Sequence, residues 1–154
     1  MKLVLSVLLA VSMSAEGATS IEAACLRTST LYGTYVDSGD ADAFAALFTE
    51  DGVWEPSSGR YVGRAAIAEQ MRKTLALKLR MRHVITNQLV TPDNATHAKG
   101  SAYWTLYVAP DGVTDLAGQP VSVGQYKDAY EMQGDTCLFE SRASEVVFAR
   151  PAST

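Results

Sequence analysis

Apolar residues recur first at helical and then at strand spacing along this chain, with the change-over at His83. Ala24, Leu31, Tyr32, Tyr35 and Val36 return at intervals that line one face of a helix. Ser20 stands where a cap is wanted, ahead of good helix formers. The run Asp37-Ser38-Gly39-Asp40 stops that helix, and Asp40 can cap a second, short one from Ala41 to Phe48. In that short helix Phe44, Leu47 and Phe48 share a face. Glu50-Asp51-Gly52 then turns the chain into a strand at Val53 to Glu55. After a loop at Pro56 to Gly59, the stripe Ile67, Met71, Leu75, Leu79 predicts a third helix.

From His83 onward the period is two. Strands are predicted at 83–90 and 96–108, then a polar loop at 110–120. A closing hairpin, 121–132 and 136–148, folds about Gln133-Gly134-Asp135. Helices gathered ahead of strands predict an α+β domain over residues 18–150, with three N-terminal helices packed on a curved, mostly antiparallel sheet. The length suits one core.

The start of the chain follows another logic. Lys2 precedes an apolar run from Leu3 to Val11, and small or polar residues follow to Ala18. That is the layout of a secretory signal peptide, so residues 1–17 are expected to be removed on export to a periplasmic or extracellular space. An apolar first turn of the domain is the alternative. The run is shorter than the ~20 residues of a spanning helix, so no membrane association is expected after processing. Cys25 and Cys137 could pair in an oxidising compartment or pack as small hydrophobes; sequence leaves both open.

Composition removes several function classes. The net charge of −4, without a basic stripe, excludes a nucleic-acid partner. Two histidines fourteen positions apart, without HExxH or a close Cys pair, make no metal site. Neither a GxSxG elbow nor a glycine-rich phosphate loop is present, and no cofactor is expected.

Five stretches together carry a resemblance. They are Tyr32-Gly33-Thr34-Tyr35-Val36-Asp37, the run from Asp40 through Phe44, Leu47 and Phe48 to Gly52, Gly63-Arg64-Ala65-Ala66-Ile67, Arg82-His83-Val84-Ile85-Thr86-Asn87, and the closing Gly124 to Asp128 with Phe139 to Arg142. In this order they resemble the SnoaL-like family of the nuclear transport factor 2-like superfamily. The resemblance implies a cone-shaped α+β barrel around a blind apolar pocket, and homodimers are common in such families. Activity is less constrained, because this fold carries enzymes and binding modules alike.

Dehydratases of the superfamily, scytalone dehydratase and bile-acid 7α-dehydratase, place a histidine on the strand that holds His83, near a tyrosine and an aspartate from the first helix. Tyr32 and Asp37 are similar in spacing, and Arg142 is similar in position to the bile-acid enzyme's arginine. The residue types suit proton removal next to a carbonyl. Histidine titrates near neutrality, a carboxylate can orient it, and a phenol can donate to a developing enolate oxygen. Arg142 could hold an acidic group or lock Asp37. Trp54, Tyr103 and Tyr126 are candidate contacts for a flat apolar ligand, and Asn87 is placed on the face of His83 and Ile85. A dehydratase or cyclase of the polyketide-cyclase kind, a lyase or isomerase acting on a small hydrophobic molecule, is the expectation. A non-catalytic secreted domain that binds such a molecule or a protein is the alternative. Ketosteroid isomerase shares the fold, but Pro56 stands where its general-base aspartate aligns, and Glu55 belongs to the opposite face.

Overall fold

A computed structural model describes residues 20–115 and 120–151; the expected export segment, residues 1–17, lies outside them. The order is α1 (Ile21–Ser38), α2 (Ala41–Ala45), β1 (Phe48–Glu55), β2 (Tyr61–Val62) and α3 (Arg64–Leu75). Four long strands follow: β3 (Leu79–Pro92), β4 (His97–Pro110), β5 (Ser122–Gln133) and β6 (Thr136–Ala149). They form one open sheet in the order β2-β1-β6-β5-β4-β3. All neighbours run antiparallel except β1 and β6, which are parallel. Among the described residues, three helices pack on a six-stranded mixed sheet, the expected α+β class.

The local signals act as their chemistry dictates. Ser20 accepts the Ala23 N–H to cap α1, and Asp40 accepts the Ala43 N–H to cap α2. Gly39 ends α1 in the left-handed region with φ +80°, which a side chain would disfavour. The short strand β2 was not expected, and several boundaries shift, two of them with a clear cause. Phe48 opens β1 instead of closing α2, because Phe139 donates its N–H to the Leu47 carbonyl and draws the segment onto β6. Leu79 belongs to β3 instead of the third helix, since Lys78 leaves helical geometry with a positive φ.

The core lies between the helices and one face of the sheet. Phe44, Phe48, Ile67, Met71, Tyr130 and Phe139 are essentially inaccessible to water. Each such side chain stabilises the fold by roughly 1.5–3 kcal/mol. Cys25 and Cys137 are joined as a disulfide that ties α1 to β6, and Thr28 donates to the Cys137 carbonyl beside it at 2.6 Å. Crosslinks of this kind typically contribute about 2–4 kcal/mol. Among the described residues no helix is long and apolar enough to cross a membrane.

Candidate active site

The site begins with an aspartate in an unfavourable place. Asp37 lies in the last turn of α1, where the helix dipole is negative and no basic residue of that turn offsets it. Compensation comes from β3, the edge strand of the sheet. An edge strand has N–H groups without ladder partners. Asp37 accepts the backbone N–H of His83 at 3.0 Å, and its Oδ1 stands 2.8 Å from the ring Nδ1 of the same residue. Arg82 adds a weaker contact of 3.3 Å from the solvent side. Helix and strand can approach this closely because position 33 is glycine. A Cβ there would meet the Ile85 side chain at 3.1 Å and that of His83 at 3.7 Å.

His83 and Asp37 are both nearly closed off, with side-chain exposures of 10% and 6%. The His83 ring also borders a cavity of about 230 Å³. Tyr32, Trp54, Trp104 and Tyr126 form its aromatic wall, and Met71, Met81 and Leu106 add aliphatic surface. Ser57, Ser58, Thr74, Ser122 and Ser144, with Val36 and Pro56, complete the lining. Lys, Arg, Asp and Glu are absent from it among the described residues. A larger cleft of about 480 Å³ shares Val36 and Met81 with this cavity and reaches Asp37, Arg80 and Arg82. It lacks His83 and Tyr32, so the smaller, aromatic cavity is the chemically equipped one.

Tyr32 is buried in the wall and accepts a hydrogen bond from the Trp54 indole at 3.1 Å. Its ring meets those of His83 and Tyr126 edge to face. Burial lifts the Tyr32 phenol above its ordinary range, and lifts Tyr126 well above it, so both remain protonated donors at neutral pH. Trp104 owes its place to Gly124. A Cβ at that position would lie 2.4 Å from the indole ring and 2.1 Å from the Glu145 carbonyl oxygen.

Arg142 is elsewhere. Its side chain is fully buried beneath the cavity, outside the lining, and forms two 2.8 Å bonds to Asp128 and one of 2.9 Å to Ser29. Its guanidinium lies 4.2–4.4 Å from the ring centres of Tyr32, Tyr126 and Phe139. Burial opposes the charge, but the bonds to Asp128 outweigh it and hold the guanidinium above its ordinary range. The expected contacts of Arg142 with a ligand or with Asp37 are therefore replaced by a pairing with Asp128.

Two other expected contacts face away. Asn87 adopts a positive φ of 52° at an irregularity between Thr86 and Leu89 that turns it to solvent. Tyr103 is 55% exposed, because its neighbour Trp104 takes the inward position on β4. Trp54 and Tyr126 do reach the cavity, while Glu55 points outward to Arg60. Trp104 was one of several aromatic residues visible in the sequence, but only the pairing of β4 with β3 and β5 decides which of them face inward.

Comparisons with known proteins bear on the family and the fold of the chain. The model of the SnoaL-like domain matches residues 18–143. This chain belongs to the SnoaL-like family. Solved structures with the same nuclear transport factor 2-like fold include a candidate scytalone dehydratase from Novosphingobium aromaticivorans. It is 18% identical with a TM-score of 0.72, over 85% of this chain and 87% of that one. ActVI-ORFA from Streptomyces coelicolor is 19% identical with a TM-score of 0.69, over 81% and 96%. LinA is 18% identical with a TM-score of 0.70, over 85% and 88%. At these identities the likeness concerns the fold. No curated protein sequence matches the chain.

Proposed function

We propose that this SnoaL-like domain is an acid–base enzyme, a lyase or isomerase, acting on a small, uncharged and largely apolar carbonyl or hydroxyl compound. The carrying observation is the 2.8 Å contact between Asp37 and His83 at the wall of an aromatic cavity without charged lining residues. With Nδ1 engaged by Asp37, Nε2 is the ring nitrogen left for a substrate. It takes a proton from the carbon beside a carbonyl, and the electron pair moves toward the carbonyl oxygen. Asp37 stabilises the imidazolium, and a buried phenol donates to the oxygen. The imidazolium then returns the proton, either to a β-hydroxyl that departs as water or to another carbon. Dehydration follows in the first case and a double-bond shift in the second. The family relationship supports this class of chemistry.

Export forms a second part of the proposal. The Cys25–Cys137 disulfide supports action in an oxidising compartment.

The test requires no knowledge of the natural substrate. 2-Tetralone, a neutral bicyclic ketone, exchanges its α-hydrogens for deuterium in D₂O, and NMR follows the exchange. The wild-type protein is expected to accelerate it, and His83→Gln to lose about 10²–10⁴-fold of that acceleration while melting as a folded protein. Equal acceleration by the two proteins would refute the assignment.

A further inference from the structure

The aromatic cavity is small for a ligand site. Its volume of about 230 Å³ lies below the roughly 300–1,000 Å³ usual for small-molecule pockets. The cleft of about 480 Å³ continues it, because four elements run from one space into the other. Along α1, Tyr32 lines the cavity, Val36 lines both spaces and Asp37 lines the cleft. Along β3 the order is His83, Met81 and Leu79, on one face of the strand. On β4, Leu106 gives way to Ala109, and on α3 Thr74 gives way to Leu75. Cavity and cleft are thus consecutive along the seam between α1 and β3, parted by Val36 and Met81.

The two parting residues differ in stiffness. Val36 is buried and β-branched, with one favoured rotamer in a helix. Met81 is half-buried and unbranched, with three rotatable bonds, so it can turn aside while the backbone stays in place. Beyond it, Leu75, Leu79 and Val113 offer apolar walls, and Arg80 and Arg82 bring guanidinium groups. Their contacts are long, 3.4 Å from Arg80 to the Val113 carbonyl and 3.3 Å from Arg82 to Asp37. A guanidinium carries five N–H donors and no acceptor, so such a contact leaves donors for a ligand.

We propose that cavity and cleft form one bipartite site for a ring compound with an apolar tail ending in an uncharged oxygen acceptor, and that Met81 decides whether the tail passes. This rests on reading the cavity as the place where the ring reacts, and it gives the substrate class a length and a far end. The ring lies beside His83, the tail runs over Met81, and a carbonyl at its end accepts from Arg80. From His83 to Arg80 the strand advances about 10 Å, at roughly 3.3 Å per residue, which sets the reach of the tail. A carboxylate is disfavoured at that end, because Asp37 lines the same cleft and already draws Arg82.

The probes are 2-tetralone and its derivatives carrying an octyl or a methyl hexanoate chain on the aromatic ring. Exchange in D₂O gives kcat and KM, and quenching of Trp54 and Trp104, both in the cavity wall, gives binding without turnover. In the wild type the ester-tailed ketone is expected to show a KM about tenfold below that of 2-tetralone, through burial of its chain. Arg80 is exposed, so Arg80→Ala should fold; it is expected to raise KM for the ester-tailed ketone relative to the octyl ketone by about three- to tenfold, the worth of one hydrogen bond. Met81→Ile keeps the bulk but stiffens the side chain, and should lower kcat/KM for both tailed ketones relative to 2-tetralone by about three- to tenfold. A merely structural role for either residue would shift all three ketones alike. Tailed ketones no better than 2-tetralone, a carboxylate-ended tail favoured over the ester, or an unmoved ratio in either variant overturns the proposal. If 2-tetralone still exchanges through His83 in that case, the acid–base reading stands. Exchange absent from every ketone, with the tail preference and its Arg80 dependence kept in the fluorescence, would sink the acid–base reading and support the bipartite site.

Discussion

Asp37 and Asp128 are both carboxylates withdrawn from water, and each is paired with a nitrogen base on a strand, yet the two pairs are built for different ends. Asp37 faces His83, a partner that can lose its charge, at the border of a cavity. Asp128 faces Arg142, a partner that cannot, where neither side chain is exposed by more than 1%. The second pair is also enclosed: Tyr130 donates to Asp128 at 2.9 Å, Ser29 takes one arm of the guanidinium, and three rings cover it. A proton can enter and leave the first pair. The second holds a fixed charge that shapes the floor beneath Tyr32 and Tyr126. The fold thus separates a reactive pair from a scaffolding pair with similar chemistry, and partner type together with access to the cavity makes the difference.

If that division is right, breaking the scaffolding pair should act on stability first. Asp128→Ala leaves the Arg142 charge buried and without its carboxylate, and about 3–5 kcal/mol of unfolding free energy should be lost in denaturant titrations. The double variant Asp128→Leu, Arg142→Met replaces the pair by apolar groups and should recover most of that loss. A single variant that costs under about 1 kcal/mol would show that the pair is not the scaffold described.

The phenols around Arg142 give a smaller effect with a definite sign. Tyr32, Tyr126 and Tyr130 are raised by burial, and Tyr130 also by the adjoining Asp128 charge. Groups whose folded pKa lies above the unfolded one contribute stability that is full below the unfolded value of about 10 and is lost as pH rises beyond it. Absorbance and circular dichroism followed together through alkaline pH should show these three ionising only as the fold is lost. Reversible ionisation of all seven tyrosines near pH ~10 with a native spectrum would contradict the closed floor.

Much of this arrangement was legible in the sequence, and the rest was hidden for physical reasons. Caps at Ser20 and Asp40, the helical stripes and the switch to alternation toward the C-terminus are local signals, and the element order follows from them except for the two-residue β2, which carries no such signal. Asp37 near His83 could be expected only from the family pattern, because 46 positions separate the two residues. Arg142 misled because the family pattern suggested contact with a ligand or with Asp37, whereas its partner Asp128 sits fourteen positions away across the β5–β6 hairpin. Asn87 was placed inward by strict alternation, which the irregularity after Thr86 breaks. Tyr103 and Trp104 illustrate the same limit: adjacent aromatics on one strand cannot be sorted by face until its partners are known.

Arg82 provides the finest test of the comparison, because it touches the reactive pair from outside. Its guanidinium reaches Asp37 at 3.3 Å, but its side chain is 72% exposed. Solvent screens such a contact, which is ordinarily worth about 0.2–1 kcal/mol. Asp37 keeps its two bonds to the backbone N–H and ring of His83 without it. Arg82→Ala should therefore leave isotope exchange in 2-tetralone within about fivefold of wild type, the rate equivalent of that energy. The contact should also weaken further with added salt, so wild type and variant should converge as ionic strength rises. A collapse comparable with that of His83→Gln would mean that the reactive unit is a triad open to solvent, and the division between a cavity-facing pair and an enclosed one would have to be redrawn.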